Sequence, residues 1–395
     1  MCKRLNLNLT RKILIFLCIF CFLPIFLSSL FAERLVSEKD GFSIDFVDGL
    51  YVSEKTESSW YLESDFLPIE FAVNVYKSGR FSNTKDVISY SAKQVKASSV
   101  DTDLVTYRNY DCSISSMEFS VGDVPCVGWL LAIKLKNSKI LSVLGFTAKE
   151  NDAIFESMIL SSLDAVSVDR ASFFNPGPVT CYAYPKEGVF RKNIDFEGSK
   201  YAVTFDKIDS EAARYVVSRE YNILSYLSST DFWFSSWQRF YQMIYRDSYG
   251  RVKDGAFDFC SKLYEKYADS DNVEELFASC VLRYVQNLPY GRSKDENDFT
   301  NLVSTFLSEP SDCDSRALLC AIFLNMMDIK STLFVSVEYS HALVGANLNS
   351  QGAKLLCKND WYLLGETTSH VDFGKIAQDM SDSSKWLNIN LDFAK

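Results

Sequence analysis

The chain has 395 residues, 47% of them apolar and 23% charged, with a net charge of −10. That balance excludes a disordered or low-complexity chain and predicts a globular protein of two or three domains. The acidity excludes nucleic acid as a partner, since binding it relies on basic side chains set against phosphates.

The amino terminus departs from this average. Lys3, Arg4, Arg11 and Lys12 precede an apolar run from Ile13 to Phe31, followed by Ala32 and Glu33. A basic start, an apolar stretch and a small residue at its end predict a secretory signal in residues 1–32. The run, at roughly 20 residues, also suits a membrane anchor. Both forms predict export to the cell envelope or periplasm, the second with residues 13–31 holding the chain in the inner membrane. Residues 1–32 hold four basic and no acidic side chains, so without them the charge moves from −10 to −14.

Residues 34–167 predict a small α/β domain. GFSIDF (Gly41 to Phe46) and IEFAVNVY (Ile69 to Tyr76) alternate as strands do. Asn83 and Thr84 can cap a helix running towards Val95, and strand candidates follow at Cys112–Phe119, Val127–Leu135 and Ile140–Phe146. Asp152 opens the amphipathic helix DAIFESMILSSL, with Ile154, Phe155, Met158, Ile159 and Leu163 on its apolar side. The opening GFSIDF and this closing helix resemble small modules of the PsbP and Mog1 type. The resemblance implies a module that binds or scaffolds.

Asn175-Pro176-Gly177-Pro178 marks a boundary, and residues 170–395 form the second predicted domain. Val189–Phe196 and Tyr201–Phe205 flank Glu197-Gly198-Ser199 as a hairpin. From Ser210 to Gln286 the pattern is helical, and Trp233, Phe234, Trp237, Phe240 and Tyr241 recur at spacings suited to helix packing.

Eight cysteines follow residue 32, and none forms a C-x-x-C pair, which speaks against a zinc or thioredoxin-like motif. Cys112 and Cys126 suit a bridge across a hairpin in an oxidising compartment. The chain holds only two histidines, His341 and His370. Any mechanism with an imidazole base must choose between them, and no metal site or cofactor is expected.

The sharpest local signal is SDCDSRALLCAIFLNMM, Ser311 to Met327. Ser311 or Asp312 can cap a helix, placing Cys313 in its first turn, where unpaired N–H groups and the helix dipole favour thiolate. Asp312 and Asp314 oppose that effect, so a positive partner would matter. The helix is apolar on nearly every side and should be buried, and Cys320 reads as core. His341 lies between two β-like runs in TLFVSVEYSHALVGANL, and Glu366 ends the strand candidate in DWYLLGETT. A histidine near a helix-start cysteine is a candidate base, and a carboxylate behind it would orient the ring.

These segments, in this order, resemble the transglutaminase-like superfamily over residues 278–368. SDCDSRALL is similar to the family's G-x-C-x-[DE] stretch, with Ser311 at the glycine position. HALVG stands where the family has HAW or HAF, and WYLLGETT where it has W-x-x-L-D-P-T. VLRYVQNLPYG (Val281 to Gly291) looks like the V-Q-x-I-x-Y helix end upstream of the cysteine. The resemblance implies an α+β, papain-like core, with a cysteine helix packed on an antiparallel sheet. It also implies a Cys313-His341-Glu366 triad acting on peptide or isopeptide amides through a thioester. The Cys313 N–H would stabilise the oxyanion, with Gln286 and Tyr290 as candidates for a second donor. A non-catalytic envelope scaffold keeping the same core is the alternative, and a disulfide-bearing structural protein with Cys313 bridged is a third.

Overall fold

The structure is a computed structural model that describes residues 34–292 and 297–391. The predicted signal or anchor lies outside the described residues. Among them, no helix is long and apolar enough to cross a membrane. The fold is mixed α and β with antiparallel sheets and divides into two compact units.

Among the described residues, unit 1 takes 34–172, Gly177–Pro185 and Ser225–Ser236. The strands β1 (Leu35–Ser37) and β2 (Phe42–Ile44) lead into β3 (Tyr51–Lys55), β4 (Ser59–Glu63) and β5 (Ile69–Tyr76). Helix α1 (Thr84–Val95) follows, then β6 (Ser99–Tyr107), β7 (Tyr110–Val121), β8 (Val124–Lys134) and β9 (Ile140–Ala148). Helix α2 (Ala153–Asp164) and β10 (Val166–Ser167) come next, and α3 (Pro178–Ala183) lies in the Gly177–Pro185 segment. Seven strands form one antiparallel sheet in the order β3-β4-β5-β9-β8-β7-β6, and β2 pairs with β1 and β10 in a small second sheet.

Both predicted caps are present: Asn83 accepts from the Asp86 N–H, and Asp152 from the Ile154 N–H. Every residue of β9 is buried, as befits a central strand covered on both faces. On one face Val87, Ile88 and Ala92 of α1 pack with Leu130, Leu144 and Phe146. The β7–β8 register sets Cys112 opposite Ile133 and Cys126 opposite Phe119, and both thiols are free. The expected bridge between them is therefore absent: along antiparallel strands a disulfide needs the two cysteines close together, and this register separates them.

Unit 2 takes Phe173–Pro176, Lys186–Leu224 and the chain from Trp237 onward. Its hairpin β11 (Val189–Phe196) and β12 (Ser199–Asp206) turns through Glu197 and Gly198, both at positive φ. Helices α4 (Asp209–Leu227), α5 (Trp233–Glu265), α6 (Val273–Gln286) and the short α7 (Leu302–Phe306) precede α8 (Cys313–Met326). In α8, Ala317 through Leu324 all have 0% exposure, so this helix lies at the centre of the unit. It packs on α6 and α7 and on two strands, β13 (Ser331–Ser336) and β14 (His341–Ala346).

With β15 (Lys354–Cys357), β16 (Asp360–Gly365) and β17 (Leu387–Ile389), these strands form an antiparallel sheet ordered β15-β16-β14-β13-β17. A smaller cluster of Phe334, Leu343, Tyr362, Leu364 and Trp386 fills its other face. Strands β14 and β16 run in opposite directions with Val344 opposite Gly365. His341, which opens β14, and Glu366, which follows β16, therefore stand at the same end of the sheet. Gly365 is needed there, since a Cβ would fall 2.5 Å from Phe373 Cε1 and 2.7 Å from Val344 Cγ1.

Candidate active site

Asp312, not Ser311, is the N-cap of α8, accepting from the Ser315 N–H at 2.8 Å and the Ser315 hydroxyl at 2.6 Å. Its second oxygen also accepts from the Thr300 N–H at 3.0 Å. The fully used cap fixes Cys313 at the first helical position, where the thiol is only 3% exposed. The cysteine loop is held from behind by a parallel bridge between Tyr290 and Ser311, closed by Gly291 N–H to Ser311 O and Ser311 N–H to Pro289 O.

Three groups act on the Cys313 sulfur. The thiol donates to Asp314 Oδ1 at 3.4 Å, and Tyr241 of α5 donates to Asp314 Oδ2 at 2.7 Å. The Ala342 backbone N–H favours the ionised form of the thiol. Arg292 Nη2 approaches it at 3.8 Å. Burial pushes the thiol up to about 12, with Asp314 and Asp312 adding to the rise, while Ala342 pulls the other way. The resting thiol is thus neutral despite its place at a helix start. The donor atoms of Asp312, Cys313 and Asp314 lie within 4.8 Å of one another. Both carboxylates already accept protein hydrogen bonds, so the cluster is built for capping and for the thiol rather than for a cation.

His341 Nε2 lies 2.7 Å from Glu366 Oε2, with both side chains 10% exposed. The other carboxylate oxygen accepts from the Thr368 N–H at 2.7 Å and the Thr368 hydroxyl at 2.6 Å. Burial pushes the Glu366 carboxyl up, but the bonds from His341 and Thr368 outweigh it and hold the group below its ordinary range. An ionised carboxylate only accepts, so His341 Nε2 is the donor in this contact. The Trp386 indole meets the imidazole edge to face at 6.4 Å, and its Nε1–H is fixed on Met380 O at 2.9 Å.

Gln286 and Tyr290 lie close by but do other work. The Gln286 amide donates to Glu366 O and Val371 O, each at 2.8 Å. Both its hydrogens are spent on the loop carrying the carboxylate, which corrects its candidacy as an oxyanion donor. The Tyr290 hydroxyl accepts from Arg292 Nε at 3.1 Å, and its ring lies beneath the Arg316 guanidinium at 5.1 Å. His370 is exposed, apart from these contacts.

Two arginines escaped the sequence reading. Arg316, 1% exposed, reaches Ser311 Oγ at 3.4 Å, Thr367 O at 3.2 Å and Leu288 O. It ties together the segments before Cys313, after Glu366 and after α6. A single basic residue inside an otherwise apolar helix was the available signal. Arg292 left none, because its role depends on the path of the loop after Gly291.

No family model and no curated protein matches this chain. Among solved structures, one from Bacteroides thetaiotaomicron is similar over 54% of this chain and 76% of its own, at 12% identity and a TM-score of 0.26. Another, from Parabacteroides distasonis and described as a "putative protease", is similar over 79% of this chain and 69% of its own. Its identity is 9% and its TM-score 0.22. At these scores neither likeness carries an argument about this chain.

Proposed function

We propose that unit 2 is a transglutaminase-like thiol hydrolase or acyltransferase with a papain-like core, acting on peptide or isopeptide amides. Cys313 is its nucleophile, His341 its base and Glu366 the group that orients the base. The observation behind this reading is the 2.7 Å contact of His341 Nε2 with Glu366. The proposed base and its carboxylate stand at the end of the sheet on which the Cys313 helix packs.

In the first half-reaction the Cys313 proton passes to His341 Nδ1, sulfur bonds the acyl carbon, and the carbonyl π pair moves onto oxygen. Collapse of that adduct expels the amine, which takes the proton from Nδ1, and leaves a thioester. Water or a second amine then attacks the thioester, giving up its own proton to Nδ1, and collapse of that adduct breaks the S–C bond and returns the proton to the Cys313 sulfur. The first nucleophile yields hydrolysis and the second yields transfer. On this reading residues 1–32 direct the chain to the cell envelope, where its peptide or protein substrate is met.

The neutral, 3% exposed thiol favours a second reading, a non-catalytic scaffold that keeps the core. The enzyme reading meets the same fact differently: the thiol ionises only as His341 takes its proton during attack. The test is acetylation of the full chain, kept in detergent, by p-nitrophenyl acetate, with each cysteine followed by peptide mass spectrometry. Cys313 is expected to acetylate well ahead of the half-buried Cys357, and His341→Ala to slow it by about 10²–10⁴-fold. Equal rates at the two cysteines, unaffected by His341→Ala, decide for the scaffold.

A further inference from the structure

Charged and titratable groups face the Cys313 sulfur from each neighbouring element. From α8 itself come Asp312 and Asp314, and Arg316 one turn further on. From α5 comes Tyr241, bonded to Asp314, and His341 opens the neighbouring strand β14 with its Nε2 on Glu366. The two carboxylates and the lack of solvent oppose negative charge on sulfur, and Arg316 spends its donors on Ser311, Thr367 and Leu288. Among the described residues, the cation that reaches the sulfur is Arg292.

The loop carrying Arg292 is pinned beside the cysteine, because the Gly291 N–H bonds Ser311 O at 3.2 Å. From there Arg292 Nη2 spans Cys313 Sγ at 3.8 Å and Ser340 O at 3.4 Å. Its Nε donates to the Tyr290 hydroxyl at 3.1 Å and stands 3.6 Å from Asp298 Oδ2. The side chain is 44% exposed, so its head enters the site from solvent and can shift with a substrate. The proposed reaction leaves one position open, the second oxyanion donor, since the amide of Gln286 is spent elsewhere.

We propose that Arg292 is a catalytic residue, whose guanidinium stabilises negative charge on the Cys313 sulfur and then on the acyl oxygen of the adduct. This rests on Cys313 being the nucleophile. As the S–C bond forms and the π pair moves to oxygen, the charge passes from sulfur to an oxygen two bonds away. A fork of N–H groups close to sulfur can then bond an oxygen on the attached carbon at about 3 Å, the distance an oxyanion donor needs. The proton has already gone to His341, so Arg292 supplies charge and hydrogen bonds and transfers nothing.

The test compares the wild-type chain with Arg292→Gln and Arg292→Lys. Each is treated across a pH series with p-nitrophenyl acetate, with neutral iodoacetamide and with anionic iodoacetate, and Cys313 is read by peptide mass spectrometry. Arg292→Gln is expected to slow acetylation by about 10²–10³-fold, the usual cost of one oxyanion donor. It should also move the alkylation profile to higher pH and abolish any preference for iodoacetate over iodoacetamide. Arg292→Lys should restore part of each. Rates, pH profile and reagent preference unchanged in Arg292→Gln would overturn the assignment while leaving the nucleophile standing. A wild-type Cys313 no more reactive than Cys357 would overturn both. Should Arg292→Gln fail to fold, Arg292→Lys carries the test: acetylation and reagent preference reduced but not abolished support the assignment, and values unchanged from the wild type overturn it.

Discussion

Replacing Arg316 by methionine probes what holds the three segments of the site together. The guanidinium is 1% exposed and donates to the carbonyls of Leu288 and Thr367 and to the Ser311 hydroxyl. Each hydrogen bond from a charged donor contributes about 1.5–3 kcal/mol, so losing the two carbonyl bonds removes about 3–6 kcal/mol. Methionine is long enough to fill much of the space, and relief from burying a charge offsets part of the loss. The net destabilisation expected is about 2–4 kcal/mol, a large share of the roughly 5–15 kcal/mol typical of a folded domain. Urea unfolding followed by tryptophan fluorescence gives the stability. Because the chain has two units, iodoacetamide labelling of the fully buried Cys320 alongside it reports on unit 2 alone. Arg316→Lys keeps the charge without the fork and should recover less than half. A loss under about 1 kcal/mol for Arg316→Met, with Cys313 acetylation unchanged, would refute the idea that this side chain organises the site.

Three further outcomes follow from the geometry. Asp314→Asn removes an anion bonded to the thiol; since a neighbouring anion opposes ionisation, Cys313 alkylation should move to lower pH, about tenfold faster at pH 7 for each unit gained. An unmoved profile would show that burial alone sets the thiol. Glu366→Gln leaves His341 without its carboxylate and should slow Cys313 acetylation by about 10²–10⁴-fold. It also tests linkage: a carboxyl held below its ordinary range contributes stability at neutral pH that is lost as pH falls through its folded value. The wild-type chain should therefore lose more stability than Glu366→Gln as the solution is taken below about pH 4, and parallel acid curves would count against it. Gly365→Ala drives a methyl into Phe373 and Val344. It should cost about 1–3 kcal/mol in thermal unfolding and displace Glu366 enough to lower acetylation.

Local signals carried most of what was legible in the sequence. Asn83 and Asp152 announced their helices because a cap is a contact between residues two or three apart. The hairpin around Glu197-Gly198 was visible for the same reason. The cysteine helix stood out by its unbroken apolar character, although two cap candidates stood side by side and only the structure chose Asp312. The segment Ser225–Ser236 folds with unit 1, a matter of long-range packing that no spacing records. The use of Gln286 to hold the Glu366 loop spans eighty residues, and the reach of Arg292 to sulfur depends on how Gly291 is tethered to Ser311. Contacts of that kind are consequences of the fold rather than of pattern.

The Ala342 amide is the quietest part of the site. Its backbone N–H pulls the thiol down against the effect of burial, and it stands one peptide unit from the imidazole, so covalent geometry couples the two. An alanine scan would pass over this position, because alanine already stands there. A saturation library would show its character instead. Glycine should be accepted, bulky residues rejected for want of space at 0% exposure, and proline singled out because it alone deletes the donor.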